Sequence, residues 1–512
     1  MTNMNVVLGV FLSLFTIFAI LGFGASRWRK GNLNNLSEWA LAGRRLGPYL
    51  AWFLVGGDLY TAYTFIAVPS AEYAKGSIYL FATPYVMTTF AIAVIAMASL
   101  WKMSRKNNYI TGVDFVRDRF KSRWLAMLIA ATGIIAELPY IALQIVGMKA
   151  VLEIIFVQYF SNYLFVSEIA LLISFIVLSA FTFWSGLRGA ALTAVMKDAI
   201  ILISVVVVVI AVPLSIHGGF STAFAKAKAE SHMFTGVETL LPKLTNAYIS
   251  LFILSALTLY FYPHAINGVL SAKNVRTVRL SSALLPMYGV GLFLLTLFGV
   301  LIFAVPDALN LVRTTGNGAL VVPALLIYTM PPWFVGFALL GIFIGGLVPA
   351  AVMAISQSNL LVRNIIKEFK KDLKPETETR IVKWATVVFK FLALGFVFAL
   401  GSSDTYAISL QLLGGVFIAQ TLPAMLLGLY QKNLNKNGLL AGWFVGMIAG
   451  IYLMLQANHF AVLKTALGNT PFGLLYIAAS SLAINLFVVY VWTYVARIVG
   501  HRPLPAGVKA GE

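Results

Sequence analysis

The sequence predicts an all-α polytopic membrane protein of about 13 spans, organised around two interrupted helices. Three observations predict this class. Of 512 residues, 60% are hydrophobic and only 11% are charged, with a mean hydropathy of +0.88; soluble domains carry about 25% charged residues. Apolar runs of about 20 residues, the length that crosses a ~30 Å hydrocarbon core, recur from end to end. Two of these runs are broken internally, one at Gly56-Gly57-Asp58 and one at Tyr262-Pro263-His264.

The spans lie approximately at 5–25, 48–73, 79–101, 124–153, 164–185, 190–214, 247–270, 281–305, 334–362, 384–401, 406–430, 438–456 and 473–497. The first has no basic leader and no small-residue cleavage site, so it reads as a retained helix rather than a signal peptide. Basic residues gather in loops of one parity, among them Arg27, Arg44 and Arg45, then Lys102, Arg105, Lys106, Arg117 and Arg119, then Lys273, Arg276 and Arg279. The opposite loops hold few, such as Lys75, Lys243 and Arg313. This asymmetry places the N-terminus outside and the C-terminus in the cytoplasm of a plasma or inner membrane. It also accounts for the formal charge of +19 without nucleic acid as a partner. The absence of cysteine removes disulfides and thiolate metal sites.

Two loops of the sparse side are long. Within 215–246 an Ala/Lys run reads as an amphipathic surface helix, and each of 215–246 and 306–333 reads either as a lid or as a simple connector. Beyond residue 438 the helices look peripheral. Gly446 and Gly450, with Ala478, Ala479, Ser480 and Ser481, permit close packing there.

The breaks carry the functional reading. Paired glycines loosen a helix, and a carboxylate such as Asp58 is costly at mid-depth unless protein surrounds it. Proline removes a backbone donor, which neighbouring helices or a cavity must offset. The breaks are five spans apart, the offset of a five-plus-five inverted repeat with a site between two broken helices. The whole of 1–512 then reads as a single membrane transport domain: an extra N-terminal helix and loop (1–47), a first repeat (48–214), a second repeat (247–430) and peripheral helices with a short tail (431–512).

Several local patterns resemble the sodium/solute symporter family. They are Ser37 to Leu46 before the first core helix, Gly186-Leu187-Arg188-Gly189-Ala190, Pro139 to Gln144, and Pro263-His264 followed by Ser271-Ala272-Lys273 and Arg276. They run in the family's order from about residue 37 to 430. The resemblance implies a LeuT-like core. The phrases Val55 to Phe65 and Val195-Met196-Lys197-Asp198 look most like the monocarboxylate permease branch, whose members import lactate, pyruvate, acetate, propionate and sometimes alanine.

The departures from that family matter as much. Its sodium-coupled members hold Na⁺ between the first core helix and hydroxyls of the eighth, in an Ala-x-x-Ser-Ser/Thr pattern; hydroxyl and carbonyl oxygens suit a hard cation. The matching positions here are Ala351, Ala354 and Ile355, a degenerate sodium site. A slip of one residue brings Ser356 to a ligand position instead. The family's Thr-Asp on the fifth core helix reads Thr193-Ala194, so that carboxylate is missing unless Asp198, one turn on, replaces it. Lys197 stands beside it. Either Lys197 faces the lost sodium site, with Asp58 or Asp198 as charge partner, or it snorkels to the cytoplasmic surface.

Candidate substrate-binding residues are Gly56, Gly57, Tyr60, Thr61, Thr64, Gln144 and His264; candidate ion-coupling residues are Asp58, Lys197 and Asp198. Asp58 suits coupling better than substrate binding, since two carboxylates repel. Backbone N–H groups freed at a break suit a substrate carboxylate. Glu137 shares a helical face with Gln144 and reads either as part of the site or as a hydrogen bond to another helix. Lys390, Gln411 and Gln420 are intramembrane polar groups with no assigned role.

The expected function is a secondary active symporter importing small monocarboxylates by alternating access. H⁺ coupling is favoured by the missing hydroxyls and Na⁺ coupling by the resemblance. The alternative is a Na⁺-coupled symporter of an amino acid or another small organic solute. No zinc-type His/Glu spacing, Gly-x-Ser-x-Gly elbow or phosphate-binding loop occurs, so no catalytic residue, metal site or enzyme is expected. The expected partners are a small carboxylate and the lipid bilayer, with no cofactor beyond the coupling ion and no obligate protein partner.

Overall fold

The computed structural model describes residues 3–28, 31–57, 59–230, 240–400, 407–460 and 465–499. Asp58 lies outside the described residues. Among those described, 11 helices are long and apolar enough to cross a membrane, and Ala407–Ala419 with Pro423–Tyr430, bent by 50°, makes a further span. These 11 to 12 spans, with the interrupted segment from Pro48 to Lys75 outside that count, are roughly consistent with the expected 13.

Several boundaries differ from the hydropathy reading by several residues, among them 275 for 281 and 369 for 362, and two of the differences change the local structure. The last span does not begin at residue 473. Leu467–Thr470 and Gly473–Tyr476 pair as an antiparallel hairpin, and the helix starts at Ile477. Gly473, with φ of +91°, supplies the turn. The tenth span begins at Pro375 rather than at 384, because its charged first turns stay helical. Glu378 anchors them through Lys367 at 2.7 Å and Arg363 at 3.3 Å.

The two long loops are both structured. Gly219–Ala229 is helical, with Ala223 and Ala227 buried and Lys226 and Lys228 exposed, as expected of a surface helix. Residues 306–333 are more than a connector. They form the helices Pro306–Thr315 and Val321–Thr329, the second buried from Val321 to Ile327. Asn317 Nδ2 between them donates to Glu153 Oε2 at 3.0 Å, on the end of the helix Arg123–Phe156.

Small residues set the close crossings. A methyl on Gly346 would fall 2.8 Å from the Gln144 carbonyl, so the helices Pro332–Leu360 and Arg123–Phe156 meet there nearly backbone to backbone. Gly446 and Gly450 play the part expected of them. Gly446 admits Gln420, whose side chain bonds Ser481 at 2.9 Å and Asn485 at 3.1 Å across three helices.

The segment before the first broken helix is locked onto its surroundings. Gly186, with φ of +58°, lets Trp39 approach; a methyl there would be 2.4 Å from the Trp39 carbonyl. Glu38 pairs with Arg45 at 2.6 Å and with Arg188. Burial pushes the Arg44 guanidinium, with Arg105 nearby, down to about 10, so it stays charged while bonding Ser104 at 3.0 Å and the Tyr109 carbonyl. Leu46 N–H donates to the Ser271 carbonyl at 3.2 Å, and Lys273 N–H to the Leu46 carbonyl at 2.8 Å. This main-chain seam joins the start of one broken helix to the end of the other.

Candidate functional site

At the first break the helix Pro48–Gly56 ends on Gly57, whose N–H bonds the Phe53 carbonyl at 2.9 Å. The chain resumes as a π-helical turn, Tyr63–Ala67, and the helix Val68–Lys75. The Lys197 ammonium donates to the Gly57 carbonyl and contacts Asp198 Oδ1 at 2.9 Å; both side chains are buried. A cation at the carbonyl end of a helix is favoured by its dipole. Lys197 therefore faces the break and does not snorkel. Gly57 makes the approach possible, since a methyl there would lie 2.2 Å from the Phe53 carbonyl and 2.5 Å from Lys197 Nζ. Apart from the Lys197 contact, neither Asp198 oxygen has a hydrogen-bond partner among the described residues, so the carboxylate keeps unused capacity beside the ammonium.

The other residues of this stretch divide. Thr61 Oγ1 accepts the Tyr63 N–H at 3.0 Å and Thr64 Oγ1 donates to the Leu59 carbonyl, so both hydroxyls hold the break's own backbone. Tyr60 turns onto Tyr288, 4.5 Å between ring centroids, and against Gly291. Gly56 packs on the same Tyr288 ring. Gln144 Oε1 accepts the Ala62 N–H at 3.2 Å, at the amide end of the second half-helix, while its buried Nε2 has no partner among the described residues.

Ala351, Ala354 and Ile355 are all fully buried. Ala354 packs on Ala385 and Phe389. On their helix it is Gly345 that approaches the first break, where a methyl would lie 3.8 Å from the Tyr60 carbonyl. Thr193 Oγ1 bonds its own helix at the Gly189 carbonyl, 2.7 Å away, and Asp198 is the carboxylate beside the break.

At the second break Pro263 starts the helix Pro263–Leu270. Glu137 Oε1 accepts the His264 N–H at 2.7 Å and lies 2.8 Å from His264 Nδ1. Ser356 Oγ lies 2.8 Å from Glu137 Oε2. Tyr140 and Tyr262 close around the imidazole at 5.3 and 5.6 Å. Glu137, Tyr140 and Gln144 fall on one face of the helix Arg123–Phe156, so that face touches both breaks, about 10 Å apart along its axis. The sequence placed Glu137 on this face but not against His264, which is 127 positions away. Below the second break a narrow cavity runs past Asn267, Ser356 and Asn359 towards Thr111 and Thr421.

A profile described as the sodium:solute symporter family matches residues 39–446. The chain belongs to that family. It is 39% identical over 492 residues to a protein named monocarboxylate transport permease protein from Rhizobium johnstonii, covering 94% of this chain and 96% of the relative. It is 24% identical over 438 residues to a sodium/proline symporter of Haemophilus influenzae, covering 81% of this chain and 82% of the relative. Among solved structures, a Na⁺-coupled sialic acid symporter in a substrate-bound outward-open state superposes with a TM-score of 0.76 at 14% identity, over 96% of this chain and 98% of that one. The protein is thus a multi-pass membrane transporter of the symporter class with a LeuT-like fold, and not an enzyme.

Proposed function

We propose that this symporter imports small monocarboxylates such as lactate, pyruvate, acetate or propionate, and that its coupling ion is H⁺. The substrate class is supported by the 39% identity to the monocarboxylate transport permease. The coupling is carried by one observation: the Lys197 ammonium donates to the carbonyl that ends the first half-helix, where a free cation would otherwise bind. The substrate lies between the breaks, its carboxylate on Gln144 Nε2 and freed N–H groups, its apolar end against Tyr140 and Tyr262. In this reading 48–214 and 247–430 are the two repeats, and the basic loops face the cytoplasm. Protonation of Asp198 releases Lys197 from its ion pair and lets the break move.

The test is uptake of radiolabelled pyruvate into proteoliposomes under imposed gradients. An inward acid gradient should drive accumulation, and replacing Na⁺ by K⁺ should leave the rate within about twofold. Strict Na⁺ dependence at fixed pH would overturn H⁺ coupling. It would favour the second reading, a Na⁺-coupled symporter of an amino acid or similar solute, which rests on the proline relative and the unused oxygens of Asp198. Competition by a panel of acids and amino acids decides the substrate class.

A further inference from the structure

The function proposed above leaves Glu137 unused, although it is fully buried and tied to two other helices. Its surroundings are specific. Oε1 receives the His264 N–H and faces His264 Nδ1, which must carry a proton to bond a carboxylate. Oε2 faces the Ser356 hydroxyl. Ser356 Oγ is also 2.7 Å from the Met353 carbonyl, yet a hydroxyl has a single proton. Two complete arrangements follow. With Glu137 ionised, Ser356 donates to Oε2. With Glu137 protonated on Oε2, the acid donates to Ser356, which turns its proton to Met353. Neither state leaves a Glu137 oxygen or the Ser356 hydroxyl without a partner, the condition that makes buried polar networks costly.

The other titratable groups near the carboxylate are His264, Tyr262 and Tyr140, with Tyr85 and Tyr476 facing Tyr262. Among the described residues no Lys or Arg pairs with Glu137. The cavity lined by Asn267, Asn359 and Thr421 reaches Ser356 and so offers a route for water.

We infer that Glu137 is a proton-binding site, loaded from this cavity through Ser356, and that its loading loosens the half-helix Pro263–Leu270. A hydronium ion in the cavity gives its proton to Ser356 Oγ and leaves as water, while the hydroxyl's own proton passes to Glu137 Oε2; the carboxylate becomes a neutral acid and the hydroxyl is restored. The His264 N–H then bonds a neutral acceptor. Charge-assisted hydrogen bonds are roughly twice as strong as neutral ones, so the clamp weakens. The inference uses the transport reading only to give the loosening a purpose. Proton binding itself is independent of the substrate.

The experiment is infrared difference spectroscopy of the purified, reconstituted, substrate-free protein during a pH titration. The wild type should show carbonyl stretches of buried carboxylic acids that appear on acidification, that of Asp198 among them, and one of these is the Glu137 band. Glu137→Gln should lose that band and Asp198→Asn should keep it. Ser356→Ala removes a charge-assisted donor from the ionised form but only a neutral acceptor from the acid, so the midpoint should rise by up to about one pH unit. If Glu137→Gln does not fold, the Ser356→Ala shift decides. A Glu137→Gln spectrum that keeps every acid band of the wild type, or a Glu137 band unmoved in Ser356→Ala, overturns the proposal. Failure of every monocarboxylate to be transported, with the band titrating as described, overturns the substrate reading and leaves the proton site standing.

Discussion

The two breaks solve opposite electrostatic problems. The first half-helix ends at Gly57 and presents a carbonyl, and the chain brings it an ammonium from Lys197. The second half-helix begins at Pro263 and presents an N–H, and the chain brings it a carboxylate from Glu137. In each case the sign matches the helix end, as the macrodipole requires. The support differs. Lys197 has a charged neighbour in Asp198, whose oxygens are otherwise unbonded, whereas Glu137 is fully hydrogen-bonded by His264 and Ser356. The first break is therefore a charge pair with spare capacity and the second a closed polar cluster.

Substitutions can break or sharpen this contrast. Lys197→Met should have the largest effect, because it leaves Asp198 buried and uncompensated; removing one member of a buried pair costs about 3–5 kcal/mol. Adding Asp198→Asn should recover much of that in thermal melts, while pyruvate counterflow stays lost. Gly57→Ala comes next. It should cost about 1–3 kcal/mol by overpacking and abolish counterflow by forcing Lys197 off its carbonyl. Gln144→Ala leaves the Ala62 N–H without its acceptor and should cost about 1–2 kcal/mol, with weaker substrate competition in binding assays. The smallest effect is expected at an exposed pair, which touches the far end of the helix Val68–Lys75 through Tyr73. Arg313 and Glu230 pair with side chains 46% and 36% exposed, so Arg313→Ala should change the melting free energy by about 0–1 kcal/mol.

The fold was legible because lipid tolerates few solutions. Apolar length marked the spans, and Gly56-Gly57 and Pro263 marked the breaks. Boundaries failed where helices leave the bilayer, since the charged turn after Pro375 and the hairpin before Ile477 give no hydropathy signal. The site was partly legible. Lys197, Gln144 and His264 lie at the breaks, but Tyr60, Thr61 and Thr64 are spent on packing and on the local backbone. Which way a side chain turns at an irregular segment depends on helices far along the chain. The pairing of Glu137 with His264 is of the same kind: one face of one helix held the clue, and its partner lay elsewhere.

The seam at Leu46 has a consequence for how such a protein can change. It joins the two half-helices through peptide groups alone, at Ser271 and Lys273. Neither rod can swing without pulling on the other, so the pair behaves as a yoked lever. Peptide groups are common to every residue type. Selection is therefore free to exchange the side chains that choose solute and ion, and the linkage that keeps both halves in step is inherited untouched.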